Sequence, residues 1–196
     1  VWWVLFTIPM MRRVHQKYYN DKLQGGVMKA AFKQVGHTCR LIAKNKSIGL
    51  FLLAYFFYID GVYTIIEMAT AYGSSLGLNS QGLLLALLLT QIVAFPFALL
   101  FGRAAKKYKN TSLIKLCIAS YFCIALFAVQ LDKQWEFWML AVCVGMFQGG
   151  IQALSRSYFA KIIPSEKSGE FFGIFDICGK GASFMGTALV GLMTQL

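Results

Sequence analysis

Apolar residues run almost unbroken over residues 48–72, 81–102, 112–131, 135–154 and 170–196, with short polar connections between them. A helix that crosses the roughly 30 Å hydrocarbon layer needs about 20 such residues, so each run predicts one membrane-spanning helix. A sixth run, residues 1–11, is too short to span and reads as the last part of a preceding spanning helix, closed by Pro9. Between residues 12 and 46 the pattern changes. A polar, basic stretch around Tyr18, Tyr19, Asn20 and Asp21, with Gly25 and Gly26 after it, predicts a flexible linker. From Val27 to Lys44 the period becomes helical. Val27, Met28, Ala31, Phe32, Val35, Cys39 and Ile42 share one face, and Lys29, Lys33, His37, Arg40 and Lys44 share the other. Such a helix either lies on the inner leaflet with its bases among anionic headgroups or docks on the protein's own loops. Three regions follow: 1–11, 12–46 and a helical bundle over 47–196.

Composition agrees with this pattern. The chain is 58% hydrophobic, 15% aromatic and only 14% charged, outside the usual soluble range, which makes it an all-α integral membrane protein. Its net charge of +11 would suit nucleic acid only if the bases formed a groove face. They follow topology instead. Nine Lys and Arg lie between Arg12 and Lys46, five lie between Arg103 and Lys115, and Arg156, Lys161 and Lys167 join them on the same side. The opposite connections, 73–80 and 132–134, hold Lys133 as their only base, so loop 12–46 is expected to be cytoplasmic. Membrane lipid, not nucleic acid, is the expected partner. Short connections and no large external domain point to a bacterial inner membrane. Cys39, Cys117, Cys123, Cys143 and Cys178 are dispersed without metal-binding spacing, and His15 and His37 are too far apart for a ligand pair. No metal and no cofactor is expected.

Ionisable residues inside spans are costly, so those present are the functional candidates. Asp60 lies near the middle of the first full span, with Tyr63, Thr64 and Glu67 on the same helical face and Gly61 able to loosen the helix beside it. The plainer alternative makes Asp60 a buried hydrogen-bond partner for a neighbouring helix and Glu67 a solvated side chain. In the last span Asp176 precedes Lys180 by one turn, the favourable order for an intrahelical ion pair, either neutralised and structural or part of a solute or proton site. Gln148, Gln152 and Arg156 form a polar stripe that descends the fourth span toward the cytoplasmic mouth. Pro96 should kink the second span, and Trp135 and Trp138 should sit at the outer interface. Gly145 and Gly149, with Gly150 adjacent, make a G-x-x-x-G that admits a close neighbour; the last span is also rich in glycine, which predicts tight, sliding contact between the two. No hydrolase, zinc-protease or dinucleotide signature occurs, and the P-loop-like Gly173, Gly179 and Lys180 are wrongly spaced, so neither an enzyme nor a nucleotide-driven pump is expected.

The segment from Gly149 through Gln152, Ser155, Arg156, Ser157, Tyr158 and Ala160, continued by Ile163-Pro164, Glu170-Phe171-Phe172-Gly173 and Gly179-Lys180, carries a resemblance. Phe57-Tyr58-Ile59-Asp60-Gly61-Val62 and the opening Trp2-Trp3 with Pro9 add to it. Together they resemble the vacuole-effluxer-like (autophagy-related 22-like) family of the major facilitator superfamily, over essentially the whole chain. The resemblance implies a major-facilitator-type helix bundle of twelve helices, of which this chain holds the C-terminal half: the end of helix six and helices seven to eleven, with helix twelve missing. It also implies a secondary active transporter that exports or exchanges a small polar solute such as amino acids by alternating access, with Asp60, Gln152, Arg156, Asp176 and Lys180 at family motif positions. Asp60 would take up and release a coupling proton. Gly102, Arg103, Lys106 and Lys107 resemble the superfamily's cytoplasmic gate loop, although Lys106 stands where its acid would be and Lys109 where its glycine would be. The competing reading is a membrane sensor or scaffold that no longer transports.

Overall fold

In the structure, a computed structural model, residues 2–13, 27–75, 77, 79–131 and 133–193 are described. Among them every regular element is helical: α1 (Trp2–Arg13), α2 (Val27–Lys44), α3 (Lys46–Ser75), α4 (Ser80–Lys107), α5 (Asn110–Ala128), α6 (Gln134–Ile162), a 3₁₀ turn (Ser165–Lys167) and α7 (Ser168–Met193). Lipid offers no hydrogen bonds, so a spanning segment must satisfy its backbone within itself, and the helix does this. α3, α4, α5 and α6 are long and apolar enough to cross a membrane. At about 1.5 Å per residue, α3, α4 and α6 reach roughly 42–45 Å, beyond the hydrocarbon layer at either end. The fifth predicted span is α7, long enough at 26 residues, but Glu170, Asp176 and Lys180 interrupt its apolar course, so its described residues hold no stretch as continuously apolar as those of the other four.

Boundaries shift where local chemistry overrides the apolar pattern. α1 does not stop at Pro9 but continues to Arg13, because a single proline removes one backbone donor and leaves the following turn intact. α6 continues past the apolar run to Ile162, carrying Ser155, Arg156 and Lys161 two turns further before Pro164 breaks it. α4 likewise runs through Pro96 and on to Lys107, so Gly102, Arg103, Lys106 and Lys107 form the last turns of a helix and not a gate loop. Ala104, Ala105 and two lysines are good helix formers, and the Tyr108 N–H closes the end on the Ala104 carbonyl at 2.8 Å. The linker expected around Tyr18 to Gly26 and the final residues 194–196 of the last predicted span lie outside the described residues.

α6 occupies the centre, packed lengthwise against α4 and α5 and touching α3, while α7 packs along α3. The α4–α6 contact depends on missing side chains. A Cβ on Gly145 would fall 2.6 Å from the Thr90 carbonyl oxygen, one on Gly149 2.9 Å from that of Ala94, and one on Gly150 inside the Phe101 ring. The Thr90 hydroxyl reinforces the crossing by donating to Ala86 and Ala141 carbonyls, at 2.9 and 3.3 Å. The glycines of α7 serve a different partner, since Gly179 abuts Tyr55 and Gly186 abuts Asp60 and Thr64, all on α3. The expected glycine-to-glycine contact between α6 and α7 is therefore replaced by two separate close pairs, α6 on α4 and α7 on α3.

Contacts at each end fix the bundle's two faces. At the basic end the buried Asn110 side chain donates to Ser157 at 3.2 Å and accepts from Lys161 at 3.3 Å, joining the start of α5 to the end of α6. At the other end the Tyr72 hydroxyl donates to the Ala128 carbonyl at 3.0 Å, Gln134 accepts the Asn79 N–H at 3.2 Å, and Gly77 turns the chain with φ 72°. α2 docks at the basic end. Gln34 and Thr38 donate to the two oxygens of the Glu170 carboxylate at 2.8 and 2.6 Å, with Ile42 buried beside them. Only part of the predicted apolar face is covered this way, because Phe32, Val35 and Cys39 remain exposed.

Three outcomes test this packing in detergent-solubilised protein. Gly145→Ala is expected to lower stability by about 1–3 kcal/mol through overpacking against the α4 backbone, read as a fall in Tm. Gly61→Ala, where a Cβ meets nothing within 4 Å, should be neutral or gain about 0.5–1 kcal/mol. Glu170→Ala should raise deuterium uptake over residues 32–44 about tenfold by removing two charge-assisted hydrogen bonds, with α4 to α6 unchanged.

Candidate functional site

α3 and α7 both leave the basic end of the bundle, so they run side by side in the same direction, and their shared face carries most of the polar residues. Nearest the basic end is an aromatic cluster. Tyr55 stacks on Phe175 at a centroid distance of 4.1 Å, Phe175 on Phe159 at 4.9 Å, and Phe51 contacts Tyr158 at 4.9 Å, so rings from α3, α6 and α7 interlock. Ser155 of α6 donates to the Ile151 carbonyl at 2.6 Å, which leaves its oxygen to accept the Tyr58 hydroxyl at 2.7 Å. None of these rings was singled out in the sequence, although Phe51, Tyr55 and Tyr58 recur at helical spacing and could have been read as one stripe.

Directly beside the rings lies the ion pair of the site. Arg156 donates from Nη2 to Asp176 Oδ1 at 2.8 Å, joining α6 to α7, and its guanidinium stands 5.7 Å from the centre of the Phe175 ring. The expected intrahelical pair of Asp176 with Lys180 does not form. A guanidinium reaches across the helix gap with planar donors and gains the ring contact as well, whereas Lys180 turns outward and is exposed. Arg156 and Asp176 keep 58% and 47% of their side-chain surface open, so the pair stands on an uncovered face of this bundle. Tyr63 is half-buried on α3.

Further along the α3–α7 seam the Ser183 hydroxyl donates to Glu67 Oε1 at 2.6 Å, so Glu67 is exposed yet bonded, not simply solvated. Asp60 and Thr64 come next. Both meet α7 at Gly186, where a Cβ would lie 2.6 Å from Asp60 Oδ1 and still closer to Thr64 Oγ1. Those two oxygens are enclosed, and neither has a protein hydrogen-bond partner among the described residues. A buried carboxylate oxygen is stabilised by a donor, which a solute or a shift of α7 would supply.

On α6 the polar stripe divides. Gln148 Oε1 is enclosed without a partner, Gln152 is half-buried, and Arg156 is open. The structure therefore sets Asp60, Thr64, Glu67 and, through Arg156, Asp176 along contacts with α7, with Tyr63 on the same helix α3; it adds Ser183, which sequence reading missed, and gives Gly186, one of the glycines that mark the last span, its partners. Lys180 and the end of α4 at Gly102 to Lys107 stand apart from this group. Among the described residues no group of three His, Cys, Asp or Glu side chains is placed to hold a metal.

The whole chain, residues 1–196, matches the family described as "Vacuole effluxer Atg22 like". An uncharacterized MFS-type transporter, YxiO of Bacillus subtilis, is 47% identical over 195 residues, covering all of this chain and 45% of that protein. Autophagy-related protein 22-1 of Emericella nidulans and autophagy-related protein 22 of Cryptococcus neoformans are 27% and 28% identical, covering all of this chain and 38% and 40% of theirs. The chain thus spans less than half the length of these curated relatives. No solved structure matches it. With its long apolar helices, its interhelical ion pair and this match along its full length, the chain is a multi-pass membrane protein of the vacuole effluxer Atg22-like family.

Proposed function

We propose that the protein is a secondary transporter of the major facilitator type, moving a small polar solute across the membrane by alternating access. The observation that carries this reading is the enclosed, unpartnered Asp60 oxygen, wedged with Thr64 against Gly186 on the α3–α7 seam. In this reading Asp60 carries the coupling proton, and its place on the seam links proton transfer to the separation of α3 from α7. Closure on Gly186 shields the carboxyl group, and separation of the two helices opens it to water.

The solute we infer is an amino acid or a similar zwitterion. Arg156 and Asp176 form a half-open pair whose members are complementary to a carboxylate and to an ammonium group respectively. A zwitterion that inserts between them exchanges one ion pair for two, so neither charge is left unpaired. Gln152 and Tyr63 flank this position with further donors and acceptors. The B. subtilis relative, at 47% identity, supports a bacterial cytoplasmic membrane as the location.

The test is reconstitution of the full protein in liposomes with an imposed pH gradient and a panel of labelled amino acids. Asp60→Asn is expected to reduce gradient-driven flux about tenfold or more while solute counterflow persists, since an amide has no transferable proton. Unchanged driven flux would remove Asp60 from the coupling step, and absence of flux in both proteins would favour a sensor. Arg156→Gln and Asp176→Asn are expected to raise the KM for flux strongly. In a double-mutant cycle of thermal unfolding, however, the pair should couple by only about 0.2–1 kcal/mol, the range for exposed ion pairs.

A further inference from the structure

α2 presents three distinct sides. One, made of Gln34, Thr38, Leu41 and Ile42, faces the bundle, where Glu170 holds it. At about 100° per residue, Phe32, Val35 and Cys39 fall within roughly 60° of one another on a second side, next to the docked one. They are uncovered, Phe32 by 76% and Val35 by 44%. The third side carries Lys33, Arg40 and Lys44, all exposed. From Val27 to Ile59 the sequence holds five Lys and Arg and no Asp or Glu.

The height of this helix is set by its attachments. Asn45 is a single-residue elbow between α2 and α3, its N–H bonded back to the Leu41 and Ile42 carbonyls at 3.1 Å, and its side chain accepts the Ser47 N–H at 3.2 Å. Gly49 lets the end of α2 pass close over α3, since a Cβ there would lie 3.3 Å from the Ile42 carbonyl oxygen. With Glu170 in the first turn of α7, α2 is pinned where two helices of the bundle begin their apolar course. Beside the elbow an open cleft of about 540 Å³ has Lys44, Lys46 and Ser47 at its rim and Ile48, Pro164 and Phe171 as its apolar wall.

We propose that α2 and this cleft form a binding surface for anionic phospholipid of the cytoplasmic leaflet. Phe32, Val35 and Cys39 enter the acyl boundary, Lys33 and Arg40 lie among the headgroups, and one headgroup phosphate sits in the elbow cleft between Lys44 and Lys46 with its chains toward Leu41 and Pro164. Charge complementarity selects this occupant: a surface with exposed apolar residues and only basic charges matches an anionic leaflet, whereas an unrelated polar partner would leave Phe32 without cover. Through Thr38, Gln34 and Glu170 the lipid-bound helix is tied directly to α7.

The test uses the full protein in nanodiscs, otherwise free of cysteine, with a spin label at Val35→Cys or, on the opposite side of the helix, at His37→Cys. In phosphatidylcholine with one quarter phosphatidylglycerol, the label at 35 should be relaxed by oxygen and shielded from a water-soluble nickel complex, and the label at 37 should show the reverse. Lys44→Gln and Lys46→Gln should each reduce the ratio of immersed to exposed label at 35 by about fivefold, as should nanodiscs of phosphatidylcholine alone. Free phosphate added to neutral nanodiscs should not restore immersion. Access of the nickel complex to position 35 in anionic nanodiscs would overturn the proposal, and so would shielding from both reagents, which would place another part of the protein or a second copy on this face.

Discussion

Hydrocarbon gives helices no solvent-driven reason to associate, because a lipid tail is as apolar as a leucine, so a membrane bundle coheres where backbones can approach closely enough for dispersion forces to accumulate. In this chain that condition is met along two seams. Gly145, Gly149 and Gly150 bring α6 onto α4, and Gly179 and Gly186 bring α7 onto α3. The other contacts depend on these. α5 fills the remaining side of α6, and the exposed Leu84, Leu88, Ile92, Phe95 and Leu99 of α4 form a lipid-facing stripe on the side opposite its glycine contact.

The two seams differ in chemistry. α4 and α6 meet mostly through apolar side chains and backbone, with the Thr90 hydroxyl bonded to the Ala86 and Ala141 carbonyls and Gln134 set against Gly82 at the start of both helices. Between α3 and α7 nearly every turn presents a polar group: Ser183 meets Glu67, and Asp60 and Thr64 meet Gly186. The aromatic cluster of Tyr55, Phe159 and Phe175 closes this seam at the basic end, and Arg156 crosses from α6 beside it. A seam of apolar surface and close backbone resists opening, because every contact is lost at once. A seam of hydrogen-bonding groups exchanges partners at small net cost when water enters.

The long apolar helices were legible in the sequence because they depend on a local quantity, the length of an apolar run. Pairing was not. Asp176 and Lys180 sit at an ideal intrahelical spacing, yet Asp176 pairs with Arg156, twenty positions earlier, because only the tertiary crossing places a guanidinium over the Phe175 ring. The glycines of α6 and α7 were visible as close-approach sites, but a glycine does not specify which neighbour it admits. α2 was readable as amphipathic, but its division into a docked side and a bare side was not, because docking uses Gln34 and Thr38, polar residues that a hydrophobicity pattern assigns to water. The end of α4 was misread for a related reason. Its glycine and lysines match the composition of a loop, while the backbone bond at Tyr108 shows a helix that continues to Lys107.

α7 is where these local choices combine. It carries an acid for α2, an acid for Arg156, a serine for Glu67 and glycines in place of bulk. Phe171, Phe175 and Ala182 are buried and seat it in the bundle, while its polar groups reach α2, α6 and α3 separately. Under the transport cycle and the lipid surface proposed above, protonation of Asp60, occupancy of the Arg156–Asp176 pair and the seating of α2 would all act on the position of this one helix. A change at any one of them would then alter the free energy of the same displacement, which is what coupling between a proton, a solute and the membrane surface requires.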